Sequence, residues 1–242
     1  MRALVAQTRV ELLLTLRRGE SVLLTFLIPV LLLAFFATVD VLPREQGRTA
    51  IEFLFPGVVA LAIMSTAMVS LAIATGFERS TGVLKRLGST PLSRPQLLGA
   101  KTLAMVAIEV LQLVVLVVEG LLLGFRFQGP ALGLALLGAV LATAAFAGLG
   151  LLMAGSLPAL TTLALANGVY LLLLLLGGMV FPLSKLPSGL RQVAQALPAG
   201  ALSDVLHNSL TAGATVPGRA WLVLAAWAVA APLAAATFFR WE

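Results

Sequence analysis

Glu109, Gln112 and Glu119 interrupt an apolar run at residues 102–124, and they are the residues most able to do chemistry inside it. At 100° per helical residue, Gln112 and Glu119 fall roughly 60° and 80° from Glu109, so the three share one face. Carboxylates in hydrocarbon are costly and usually face a bundle interior or a water-filled cavity. Such a stripe can receive a cationic substrate, pass protons, move with a gate, or serve as buried hydrogen-bonded packing. No other constellation competes with it. The chain has no cysteine, which excludes disulfides, thiolate metal sites and Cys nucleophiles. His207 is the only histidine; it reads as a solvated pair with Asp204 on an amphipathic helix, with no second ligand for a metal. No G-x-x-x-x-G-K-S/T phosphate loop occurs. No nucleophile and base are arranged for protease or acyltransferase work, so the chain reads as a non-enzyme without a cofactor of its own.

A second group of residues could bind a partner. The segment ERSTGVLKRLGSTPLSRPQLLGAK, residues 78–101, carries five Lys/Arg against one acid and lies between two long apolar runs. Ser80 is placed to cap a short helix, Gly88 to end it and Pro91 to follow. Val83, Leu84 and Leu87 would share one side, with Arg79, Lys85 and Arg86 elsewhere. Ser93-Arg94-Pro95-Gln96 then has capping-box spacing with proline in the first turn, so the next membrane helix should begin outside the bilayer. The expected result is a helix–turn–helix knuckle with an apolar patch and a basic rim. A purely topological anchor for lipid phosphates would account for the charge; the apolar trio and the double capping point to docking of a protein.

The elements that position these residues follow from composition. The 242 residues are 60% hydrophobic and 11% charged, with a mean hydropathy of +1.06, whereas a soluble protein is about one quarter charged. The fold class is therefore an all-α integral membrane protein. Six spans are expected at about 21–39, 53–76, 102–124, 131–155, 159–181 and 219–239, each long enough to cross as a helix. The first is too long for a signal-peptide core and no cleavage site follows it. The net charge of +6 is a topological signal, not a nucleic-acid footprint. Ten Lys/Arg fall on the side of the termini and the 77–101 loop, against six on the other, which puts both termini in the cytoplasm.

Residues 2–20 should form an interfacial helix with Thr8, Glu11, Thr15 and Arg18 on one arc. After the fifth span, Pro182, Pro187 and Pro198 delimit two short amphipathic helices on the outer surface, with Leu190, Val193, Ala194 and Leu197 on one and Leu202, Val205, Leu206 and Leu210 on the other. In the fourth span, Ala131, Ala135, Ala139, Thr143 and Ala147 recur every fourth residue, a small-residue ridge suited to close helix packing. Pro29 and Pro232 are positioned to kink the first and last spans.

The run Glu78-Arg-Ser-Thr-Gly82-Val-Leu84-Lys-Arg-Leu87-Gly-Ser-Thr-Pro91 resembles the E-x-x-x-G-x-L-x-x-L-x-x-x-P signature of type-2 ABC exporter permeases, the ABC-2 family, including antibiotic-resistance permeases of the daunorubicin type. The tail Gly177-Gly-Met-Val-Phe-Pro182-Leu-Ser-Lys-Leu-Pro187 is similar to that family's outer segment. The likeness covers the whole chain as a single transmembrane domain, 1–242. It implies a permease of the bacterial cytoplasmic membrane that dimerises with itself or a related permease. It also implies a separate ATPase subunit, which supplies ATP and Mg2+, and outward movement of an amphipathic drug or lipid. By position, Glu78, Gly82, Leu84, Lys85, Arg86, Leu87 and Pro91 match the family's coupling helix. Two other classes stay open on the residues alone: a proton-coupled secondary transporter using Glu109 and Glu119, and a non-transporting membrane anchor whose basic loop recruits a cytoplasmic protein.

Overall fold

The computed structural model describes residues 2–17, 19–39, 49–88, 93–127, 132–180, 182–210 and 215–240, and all regular structure among them is helical. In chain order the elements are α1 (Arg2–Arg17), α2 (Gly19–Thr38), α3 (Ala50–Met64), a π-helical turn (Ser65–Ser70), α4 (Leu71–Ser80), α5 (Val83–Gly88), α6 (Arg94–Leu122), α7 (Leu132–Ser156) and α8 (Ala159–Leu176). A 3-10 turn (Leu183–Lys185), α9 (Ser188–Ala196), α10 (Pro198–Leu210) and α11 (Gly218–Phe238) complete them.

Each of the six expected apolar runs is helical. Among the described residues, five helices are long and apolar enough to cross a membrane: Ala50–Ser80, Pro95–Leu122, Leu132–Ser156, Ala159–Leu176 and Gly218–Phe238. The first run contributes the shorter apolar stretch Thr25–Thr38 of α2. In hydrocarbon every backbone donor must be satisfied within the segment, which is why these runs close into helices. At both α3 and α6 the first backbone donor is capped from three residues ahead. The Thr49 N–H donates to Glu52 Oε2 at 2.8 Å, and the Ser93 N–H donates to Gln96 Oε1 at 3.0 Å. At 29 residues α6 is roughly 43 Å long. That exceeds a hydrocarbon core of about 30 Å, so part of α6 stands outside it. The fifth span stops at Leu176, short of the expected 181, because Gly177 and Gly178 turn the chain and Gly178 takes φ +71°.

Helix α7 is the hub, packed on α4, α10 and α11. Ala135, Ala139, Thr143 and Ala147 of the expected ridge are buried; Ala131 lies outside the described residues. The closest approaches use glycines on other faces of the same helix. A Cβ on Gly148 would lie 2.4 Å from Pro232 N, and one on Gly150 would lie 2.6 Å from Met68 O in the π turn. Pro232 brings no N–H to that crossing, so no backbone donor at position 232 needs an acceptor where the backbones meet. The π turn itself, STAMVS, has neither glycine nor proline and carries no sequence signal.

Two surface assignments change. The polar arc of α1 faces protein rather than water: Glu11 is buried, Thr8 and Thr15 are half-buried, and α1 lies along α6. The apolar side, with Val5, Val10, Leu13, Leu14 and Leu16, is the exposed one. Arg18 lies outside the described residues. The two helices after α8 form where expected, but α10 buries Leu202, Val205, Leu206 and Leu210 against α3, α7 and α11, whereas α9 exposes Leu190 and Val193.

His207 is not paired with Asp204 in solvent. Its Nε2 lies 3.0 Å from Phe53 O, its Nδ1 lies 2.9 Å from Ser203 O, and its ring packs on Phe53 at 4.9 Å, tying α10 to the start of α3. Asp204 sits on the same helix, where burial raises its pKa and the Arg219 charge lowers it only in part. The ionised carboxylate is thus worse solvated folded than unfolded. Stability from this site is full below the unfolded pKa and declines as pH rises through the folded one. Asp204→Asn is therefore expected to raise the melting temperature at pH 7 and to weaken its decline between pH 4 and neutrality. An unchanged pH profile in a thermal-shift assay would count against this.

Candidate functional site

The knuckle is built differently from its sequence-based outline. Ser80 does not cap α5: it is the last residue of α4, and its hydroxyl donates back to Phe77 O at 2.8 Å. The chain reverses at Gly82, whose φ of +73° lies in the region that only glycine enters cheaply. Nothing lies within 4 Å of a Cβ there, so conformation and not space requires the glycine. Helix α5 follows, with the Arg86 N–H donating to Gly82 O at 3.2 Å.

The faces of α5 are divided. Leu84 is fully buried in a cluster with Leu71, Leu97, Leu98, Met105, Leu151 and Phe239, drawn from α4, α6, α7 and the end of α11. Leu87 packs at the edge of that cluster. Val83, Lys85 and Arg86 are exposed. The apolar trio is therefore split: Leu84 pins α5 onto the membrane domain, and Val83 with the two cations forms the outer surface. Arg79 reinforces the seat by donating from Nη1 to Ala154 O in the last turn of α7, 2.9 Å away. Pro91 lies outside the described residues.

Beneath the knuckle lies a buried ion cluster. Lys101 Nζ donates to both carboxylate oxygens of Glu11 at 2.9 Å and to Glu78 Oε2, while Gln7 Nε2 donates to Glu11 Oε1 at 2.8 Å. Only 2% of the Lys101 side chain is exposed. Its three N–H donors are all used, and α1, the end of α4 and the base of α6 are joined through one ammonium. From the sequence Lys101 reads as a topological charge and Glu11 as part of the polar arc of an interfacial helix. Their separation of 90 residues left no local signal of the pairing.

The intramembrane stripe on α6 divides between neighbours. Gln112 is buried: its Oε1 accepts from Thr66 Oγ1 at 2.8 Å and its Nε2 donates to Thr25 O at 2.7 Å, linking α2, the π turn and α6. Glu109 points to α7, where its Oε1 lies 2.6 Å from Thr143 Oγ1. Glu119 is half-buried. Among the described residues, Oε2 of Glu109 and Oε2 of Glu119 have no hydrogen-bond partner.

A membrane domain of this helical order, with a short helix seated between its second and third spans, can now be compared with known families. The sequence profile of the ABC-2 type transporter family matches residues 2–208, from α1 into α10. The chain belongs to the ABC-2 type transporter family. It is a permease of an ABC transporter, the membrane component, which carries no ATP site, and permeases of this family work with ATPase partners. Comparison with curated proteins finds no match. The family match runs through both the knuckle and the ion cluster, in which Glu78 is one arm of a tie to α1.

Proposed function

We propose that this permease serves an ATP-driven exporter and that the α4–α5 knuckle is where a separate ATPase subunit acts. The observation that carries the reading is the division of faces on α5. Leu84 is sealed among four membrane helices, while Val83, Lys85 and Arg86 face outward from the same turn and a half. A lipid-phosphate anchor needs only the charges; a lever needs a seat as well. Displacement of α5 passes into the spans through Leu84, through Arg79 to α7, and through Glu78 and Lys101 to α1 and α6. Gly82 is the pivot, Leu87 flanks the seat, and Pro91 is assigned by its motif position.

In this reading the knuckle and both termini are cytoplasmic and the chain lies in the bacterial cytoplasmic membrane. ATP and Mg2+ are held by the partner. Two permeases, identical or related, pair so that alternating access at their interface moves a hydrophobic or amphipathic substrate, a drug, antibiotic or lipid, outward. Gln112 is occupied in helix packing. Glu109 and Glu119, each with one oxygen unpartnered among the described residues, remain the candidates for a substrate path or gate.

The test is co-purification with the ATPase subunit after charge reversal at the rim. Lys85→Glu with Arg86→Glu should weaken the complex by at least about tenfold, ~1.4 kcal/mol. It should also abolish nucleotide-dependent transport while the permease keeps its melting temperature. Normal assembly and transport in that variant would overturn the proposal.

A further inference from the structure

We infer that the cleft lined by α1, α2, the π turn, α4 and α6 is a binding site for one hydrocarbon chain of a bilayer lipid, taken from the leaflet on the knuckle side. Its volume is about 300 Å3, and its apolar wall includes Val69, Ile73, Ala74, Phe77, Met105 and Ile108. The inference requires that the chain span a membrane; it does not depend on ATPase docking.

Three observations identify the occupant. The first is wall chemistry. Four lining residues carry hydroxyls, Thr15, Thr25, Thr66 and Ser70, and those of Thr66 and Thr15 already have acceptors, Gln112 Oε1 at 2.8 Å and Glu11 O at 2.9 Å. What is left to face an occupant is almost entirely hydrocarbon, and apolar cavities stay dry and take apolar ligands.

The second is shape. The wall runs from Thr66 to Phe77 along one continuous helix, a rise of roughly 16 Å. That is about half of a 30 Å hydrocarbon core, the depth of one leaflet. A volume of 300 Å3 drawn out over that depth is slender, the form of a single extended chain and not of a fused-ring drug. The π turn supplies Val69 and the hydroxyl-bearing Thr66 and Ser70, so the widened helix is part of the wall.

The third is position. Phe77, 39% exposed, stands at the knuckle end and adjoins Glu78. Thr15 is one turn from Glu11, and Met105 is one turn from Lys101. The knuckle end of the cavity therefore lies within about one helical turn of the ion cluster that holds the knuckle. A chain inserted there packs α4 against α1 and α6 immediately beside that tie.

The experiment uses the full-length permease in nanodiscs of phosphatidylethanolamine in which a fraction of the lipid carries a diazirine midway along one acyl chain. After irradiation, label is read by peptide mass spectrometry. Ile108 and Ile73 should be labelled well above Val110 and Val114, which lie on the exposed face of α6. Ala74→Trp, which fills the cavity, should reduce label at Ile108 to the level of Val110 while leaving Val110 and Val114 unchanged. Ile73→Trp repeats the test from a neighbouring wall position, and size-exclusion elution reports whether each variant is folded. Label at Ile108 no stronger than at Val110 in the wild-type protein would overturn the inference whatever the variants do. Label that persists at Ile108 in a folded tryptophan variant would overturn it as well.

Discussion

Replacing Lys101 with methionine is expected to destabilise the permease by roughly 3–5 kcal/mol and to free the knuckle from α1. The reason is asymmetry. Lys101 is the ammonium that joins Glu11 and Glu78 beneath the knuckle. Removing it takes the shared counter-ion away from Glu11, which is buried, and from Glu78, which is half-buried, and that loss outweighs the relief of desolvating the ammonium. Thermal unfolding in detergent should show the loss, and limited trypsin should cut faster at Arg79, Lys85 and Arg86. Adding Glu11→Gln and Glu78→Gln to the methionine variant removes the two negative charges, so most of the stability should return. Coupling should not return, because the polar tie from knuckle to α1 is still missing. If Lys101→Met alone melts like wild type, the cluster is not the buried tie described here.

The second large effect lies at the crossing of α7 and α11. Gly148→Ala places a Cβ 2.4–2.5 Å from the α11 backbone at Pro232 and Ala231. Neither neighbour is a flexible side-chain end, so the helices must separate. A cost of about 1–3 kcal/mol is expected for alanine, and Gly148→Leu should abolish folded protein. Gly133, on the same helix, has nothing within 4 Å of its Cβ. Gly133→Ala should therefore be neutral or gain up to ~1 kcal/mol from helix propensity. Equal melting temperatures for the two alanine variants would contradict the packing.

These two sites mark the limit of what one sequence displays. Periodicity and composition suffice for the apolar runs, and local chemistry suffices for the start of α6, because Ser93 and Gln96 are three residues apart. Ser80 does not mark the start of α5: a serine before an apolar run looks like a cap whether or not the preceding helix has ended. Leu84, Val83 and Leu87 carry the same apolar signal, and only tertiary packing decides which of them faces in. The polar arc of α1 has the same spacing whether it meets water or Lys101. His207 shows the same problem from the other side: Asp204 is near in sequence, whereas its actual acceptor, Phe53 O, is 154 residues away. The π turn depends on its neighbours and has no residue type of its own.

Stability of the seat and exposure of the tip are separate requirements, and the proposed coupling to an ATPase needs both. Leu84, Arg79 and Lys101 supply the first. Val83, Lys85 and Arg86 supply the second, and Val83 is the apolar member of that surface, 39% exposed.

The most direct test of the account is cross-linking from that position. The chain has no cysteine, so Val83→Cys introduces a single thiol on the outer face of α5. With a short thiol-to-amine reagent, Val83→Cys should form an adduct with the co-expressed ATPase subunit that changes in yield with bound nucleotide, while Leu190→Cys on α9 should form none. An intact permease–ATPase complex that gives no adduct from Val83→Cys, or equal adduct from both positions, would contradict the assignment of the knuckle as the coupling surface.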